Sequence, residues 1–151
     1  MLKISSSVEY GSRVIVHLAA QDPQDPLTAE KIAASENIPR DYVDQLLMRL
    51  RRAGLVISRR GARGGYLLAK PTKEISVGSV MRAVDAGVFE SICEKYAEGD
   101  QQCSRASDCG IRPVWQRLGV LIEKFLDSVS ITELQATESR VAKLFADVEK
   151  P

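Results

Sequence analysis

Three thiols lie close together in this chain. Cys93 is followed after nine residues by Cys103 and after five more by Cys109, in a polar stretch that also contains Gly99 and Gly110. Soft thiolates favour iron–sulfur clusters or zinc over hard cations, and such a segment can wrap around a metal centre. The spacing matches neither the paired C-x2-C of a zinc ribbon nor a ferredoxin run. From spacing alone the three are either metal or cluster ligands or unrelated thiols, one of them buried. An odd count without an export signal argues against a disulfide framework.

A second chemistry is carried by charge. The whole chain has 21 basic and 20 acidic residues, for a net charge of +1, which excludes a polybasic tail or an acidic solvating chain. Yet between Arg49 and Lys73 there are eight basic residues and no acidic one. Such a stripe is either a solvated face or a contact for an acidic polymer, whose phosphates would relieve the repulsion among like charges.

These groups need a scaffold, and 151 residues with 44% hydrophobic content suffice for one to one and a half ordinary domains. No apolar run is long enough to cross a bilayer, and the start Met1-Leu2-Lys3-Ile4 lacks a signal-peptide pattern; the expectation is a cytoplasmic protein with no membrane partner. The spacing of Tyr10, Val14, Ile15 and Leu18 predicts a first helix over Ser7 to Gln21, stopped by Pro23 and Pro26. Thr28 precedes a short second helix through Ala34. Val43, Leu46, Leu47 and Leu50 give a third helix over Arg40 to Ala53, with Asp41, Asp44, Gln45, Met48 and Arg52 on its outer face and Gly54 as its stop. Two short strands, 55–58 and 65–69, flank a glycine-rich tip at Arg59 to Gly64. A helix over Val77 to Asp85 follows, then an irregular stretch over 86–111. Trp115, Leu118, Ile122, Phe125 and Val129 mark the seam of a long helix that wants a partner helix, with one or two short helices beyond Ser130.

The predicted fold is therefore mainly α with a small β-hairpin: a winged helix-turn-helix over residues 1–75, a connecting helix and cysteine segment over 76–112, and a long dimerisation helix with C-terminal helices over 113–151. In a winged helix-turn-helix the third helix enters the major groove of double-stranded DNA and the wing reaches phosphates or the minor groove. Gln45 suits an adenine edge, Asp44 a cytosine amino group, and Arg49 and Arg52 guanine or phosphate; Arg59, Arg60 and Arg63 suit phosphates or a narrow groove. Arg40 and Tyr42, at the start of the same helix, complete the candidate DNA-binding set. The competing reading is a hairpin and helix face that bind protein. No glycine loop opens a helix to cradle phosphate, and the single histidine, His17, has no nucleophile set beside it, so no enzyme is expected.

Taken together, these residues resemble the IscR-like family of bacterial winged-helix transcriptional regulators, which includes NsrR, RirA and CymR. The resemblance is carried by Leu2-Lys3-Ile4-Ser5 with Tyr10, by the run Tyr42 to Val56, by Arg60 to Leu68, by Ile75-Ser76-Val77-Gly78 and Ala83-Val84-Asp85, and by three cysteines before a long helix. It implies a homodimer, a repressor acting on a pseudo-palindromic operator, and an iron–sulfur cluster bound by Cys93, Cys103 and Cys109, with 2Fe-2S placed ahead of 4Fe-4S. The alternative is a cluster-free DNA-binding regulator whose cysteines are redox-active or bind zinc.

One departure bears on the fourth ligand. Where the IscR pattern has a histidine three positions after the third cysteine, this chain has Arg112, and a guanidinium that stays protonated is a poor ligand. Some relatives use an acidic side chain of the first helix, supplied by the other subunit, and Glu9 falls at the matching place before Tyr10. The competing reading for Glu9 is a solvent-exposed carboxylate favoured by the helix dipole. His17, on the same face as Glu9 and Arg13, is expected as a half-buried, hydrogen-bonded histidine.

Overall fold

The computed structural model describes residues 4–85 and 109–146. Helix α1 (Ser6–Ala19) begins where the Ser5 hydroxyl accepts the Val8 amide, and it buries Val8, Val14, Ile15 and Leu18 along one face. Helix α2 (Ala29–Glu36) is capped by Thr28 and ends at Asn37, whose left-handed backbone (φ 53°) is one that asparagine tolerates. Helix α3 (Arg40–Arg52) buries Val43, Leu46, Leu47 and Leu50, none more than 1% exposed. It ends at Gly54 with φ 70°, where the amides of Gly54 and Leu55 donate to the carbonyls of Arg51 and Leu50, both at 3.0 Å.

Strands β1 (Val56–Arg59) and β2 (Gly65–Leu68) pair antiparallel, with Val56 opposite Leu68 and Arg59 opposite Gly65. The loop before α2 adds a third rung: the Leu27 amide donates to the Tyr66 carbonyl at 3.1 Å and the Tyr66 amide to the Leu27 carbonyl at 2.8 Å. A β-carbon at Gly65 would stand 2.5 Å from the Leu27 carbonyl oxygen, so the close approach requires glycine. A 3-10 turn (Thr72–Glu74) leads into α4 (Val77–Val84), and α5 (Arg112–Ser128), α6 (Ile131–Leu134) and α7 (Glu138–Phe145) complete the described chain. The buried core joins α1, α2 and α3 to Ile75, Val80, Met81, Val84 and Ile131. Burial of this apolar set supplies most of the stability that holds the three N-terminal helices in register.

The expected helices and strands are present, with ends shifted by one or two residues. The long-helix seam needs correction. Val129 lies just past the end of α5 and is buried, its carbonyl accepting the Val77 amide at 2.9 Å, and Ile122 is half-buried. The exposed stripe is instead Val114, Trp115, Leu118, Leu121 and Phe125, each between 44% and 57% exposed. None of the residues of α5 is buried in the single chain. No described helix is long and apolar enough to cross a membrane.

Candidate nucleic-acid interface

Because its four buried leucine and valine side chains face the core, α3 turns Asp41, Gln45, Met48 and Arg52 outward. Arg49, Arg51 and Arg52 sit in its last turn, where cations oppose the negative end of the helix dipole. Arg40 spans the two helices of the helix-turn-helix: its Nε and Nη2 donate to Glu30 Oε1 at 3.0 and 2.7 Å, and its Nη1 pairs with Asp44. Glu30 is held below the usual carboxylate range, first by its own backbone amide and then by Arg40.

Two of the predicted contacts are engaged by neighbouring helices, Tyr42 from a half-buried position and Arg49 from an exposed one. The Tyr42 hydroxyl lies 2.8 Å from the Ser7 hydroxyl, and its ring meets Tyr10 edge-on at 5.8 Å, so it ties α3 to α1. Arg49 Nη1 donates to the Val84 carbonyl at 2.7 Å, at the end of α4. Arg51 Nη1 reaches Ser58 Oγ at 3.2 Å and links α3 to the hairpin. By contrast Arg52, Arg59, Arg60 and Arg63 are exposed and make no ion pair among the described residues. At Gly64 a β-carbon would crowd the Arg59 and Gly61 carbonyls at 2.5 and 2.8 Å, which keeps the tip tight and its arginines at the turn. An unneutralised set of guanidinium groups beside a helix with a polar outer face is suited to phosphate contact.

The iron-dependent transcriptional regulator family, Rrf2, matches residues 4–137 of this chain. The chain belongs to the Rrf2 family. It is 33% identical over 133 residues to the HTH-type transcriptional regulator IscR of Serratia proteamaculans, covering 88% of this chain and 79% of that one. Among solved structures it is similar to CymR, the global cysteine regulator of B. subtilis, with TM-score 0.69 and 31% identity over 89% of this chain and 97% of that one. It is also similar to T. potens IscR, with TM-score 0.68 and 28% identity over 99% and 93% of the two chains. Rrf2 proteins are DNA-binding transcriptional regulators rather than enzymes, and the winged-helix fold described above is theirs.

Of the Rrf2 chain's candidate metal ligands, Cys93 and Cys103 lie outside the described residues. Cys109 is half-buried, two positions before the residue that caps α5. Glu9 is exposed on α1, and its carboxylate makes no hydrogen bond or ion pair with a described residue. It lines a cavity of about 910 Å³ together with Ile4, Val8, Leu121 and Phe125. Arg112 opens α5. His17 is half-buried, with Nδ1 2.8 Å from Glu36 Oε1, and Arg13 Nε donates to Glu36 Oε2 at 3.0 Å. Glu36 is the residue that sequence reasoning missed. Its signal was indirect: Arg13 and His17 fall on one face of α1, where a single carboxylate can serve both.

Proposed function

We propose that this Rrf2 chain acts in the cytoplasm as a homodimeric repressor on a pseudo-palindromic operator, and that Cys93, Cys103, Cys109 and Glu9 bind an iron–sulfur cluster, 2Fe-2S ahead of 4Fe-4S. The observation that carries the DNA-binding reading is the set of exposed guanidiniums at Arg52, Arg59, Arg60 and Arg63 on the helix and wing, which have no ion pair among the described residues. Gln45 and Asp44 on the same helix are the candidates for base edges; Arg40 has to exchange Glu30 or Asp44 for DNA before it can contribute.

Dimerisation is supported by α5, whose stripe of half-exposed Trp115, Leu118, Leu121 and Phe125 leaves a large apolar face for a second copy to cover. Two-fold symmetry then sets two recognition helices against half-sites about 34–36 Å apart.

The donor set suits iron. Three thiolates are soft ligands, and Glu9 is an exposed carboxylate that the described fold leaves uncommitted. A bound cluster supplies a centre whose charge and ligation change with oxidant or iron supply. Glu9 shares its cavity with Leu121 and Phe125 of the apolar stripe, which supports its being offered across the dimer interface. The test is visible absorption with iron and sulfide content after anaerobic purification. Wild type is expected to be coloured, Cys103→Ala colourless, and Glu9→Ala altered or unstable. Colourless wild type containing zinc, or none of these metals, supports the second reading of a cluster-free regulator with redox-active or zinc-binding cysteines, which Arg112 at the usual histidine position favours.

A further inference from the structure

The C-terminal end of α4 is gripped from three sides. The last carbonyls of a helix lack intrahelical donors, and Arg49 of the recognition helix satisfies that of Val84 at 2.7 Å, a partly buried bond. The Val84 side chain packs against the bare Cα of Gly11 in α1, where a β-carbon would stand 2.9 Å from Val84 Cγ1. The next residue, Asp85, accepts the Ser5 hydroxyl through Oδ2 at 2.7 Å, and the same hydroxyl caps α1. Glu9 lies four residues beyond Ser5, and Cys93 nine residues beyond Val84. The start of α1 and the end of α4 therefore meet at one junction, and Arg49 fastens that junction to α3.

We propose that Arg49 is a positioning residue rather than a DNA contact: its bond to the Val84 carbonyl couples the α4 exit to the recognition helix, so that the ligation state of the cysteines alters operator affinity. The bond to this carbonyl turns one Nη1 donor toward α4, so a phosphate contact by the exposed side chain would have to use the remaining donors in the orientation that this bond fixes. A guanidinium bridging two helices also fixes their relative rotation more tightly than apolar packing, because its donors are planar and directional. The inference rests on the cysteine-dependent regulation proposed above.

The experiment measures operator affinity against salt, anaerobically, for the full chain as wild type, Arg49→Met, Cys103→Ala and the double variant, with Arg52→Met as a phosphate-contact comparison. Methionine keeps the apolar stem of Arg49, and Arg49→Gln, which retains an N–H donor without charge, guards against a folding defect. A coupling device predicts that Arg49→Met leaves the slope of log affinity against log salt unchanged, whereas Arg52→Met lowers it by about one unit. It further predicts that the affinity ratio between wild type and Cys103→Ala, expected at about 5–150-fold, falls to within about twofold of unity in the Arg49→Met background, with partial recovery in Arg49→Gln. A lowered salt slope in Arg49→Met, or an undiminished ratio in that background, overturns the proposal. A wild-type ratio near unity overturns it as well, but through failure of the regulatory reading, and the unchanged or lowered slope then still tells positioning from phosphate contact.

Discussion

The carboxylate of Asp127, at the end of α5, lies against the bare Cα of Gly78 in α4, in the space any β-carbon there would need. That approach lets Arg82 donate to both Asp127 oxygens, at 2.6 and 3.2 Å, and Ser76 donate at 3.2 Å. Alanine at position 78 gains roughly 1 kcal/mol of helix propensity, but overpacking costs about 1–3 kcal/mol. The backbone nitrogen of Asp127 is also within 3.1 Å of the added atom, so a shift of the side chain alone does not relieve the clash. Gly78→Ala is expected to lower the midpoint of thermal denaturation; an increase contradicts this packing.

The Arg82–Asp127 pair sets an acid response. Hydrogen bonds from Arg82 are the main cause that holds Asp127 below the usual carboxylate range. A depressed folded value contributes stability that is complete above the unfolded pKa and lost as pH falls through the folded one. With both side chains nearly half exposed, the contribution is under about 1 kcal/mol. Denaturant unfolding of wild type and Asp127→Ala is expected to differ at pH 7 and to converge as pH drops below the ordinary carboxylate range.

Arg59, Arg60 and Arg63 are exposed and have no ion pair among the described residues, and a hairpin tip follows a phosphate backbone without matching a base pattern. Replacing all three by alanine is expected to weaken binding to specific and random duplexes alike and to lower the salt slope by about one unit per contact removed. An unchanged slope in a fluorescence anisotropy titration removes the wing from the interface.

A charge in the apolar stripe of α5 tests the dimer. Leu118 is 44% exposed in the single chain, so Leu118→Glu leaves the monomer fold intact while placing a carboxylate in the proposed interface. Sedimentation at micromolar concentration is expected to show a wild-type dimer and a monomeric variant. A wild-type monomer contradicts the reading.

Periodicity made α1 and α3 legible, because each buries one face against a common core: Val43, Leu46, Leu47 and Leu50 announce α3 and are its buried residues. The glycines of the wing were legible as turn residues, but not the third rung at Leu27, which depends on a pairing distant in sequence. Val129 was misplaced because its apolar character suits the core as well as a seam, and the chain leaves α5 one residue before it. The bonds of Tyr42 and Arg49 to neighbouring helices were illegible for a related reason. A tyrosine or arginine on this helix carries no sign of a partner hydroxyl or carbonyl supplied by residues 35 positions away.

Control of DNA binding by the cysteine-bound centre is tested most directly by anaerobic operator affinity, measured on a duplex selected from a random library, for the coloured protein and for the same preparation after the iron is removed by a chelator. The predicted result is a change of about tenfold or more, equivalent to roughly 1.4 kcal/mol, with the same change produced by Cys103→Ala. Equal affinity of the two forms, on a duplex that both bind in a salt-dependent way, contradicts control of DNA binding by the cysteine-bound centre.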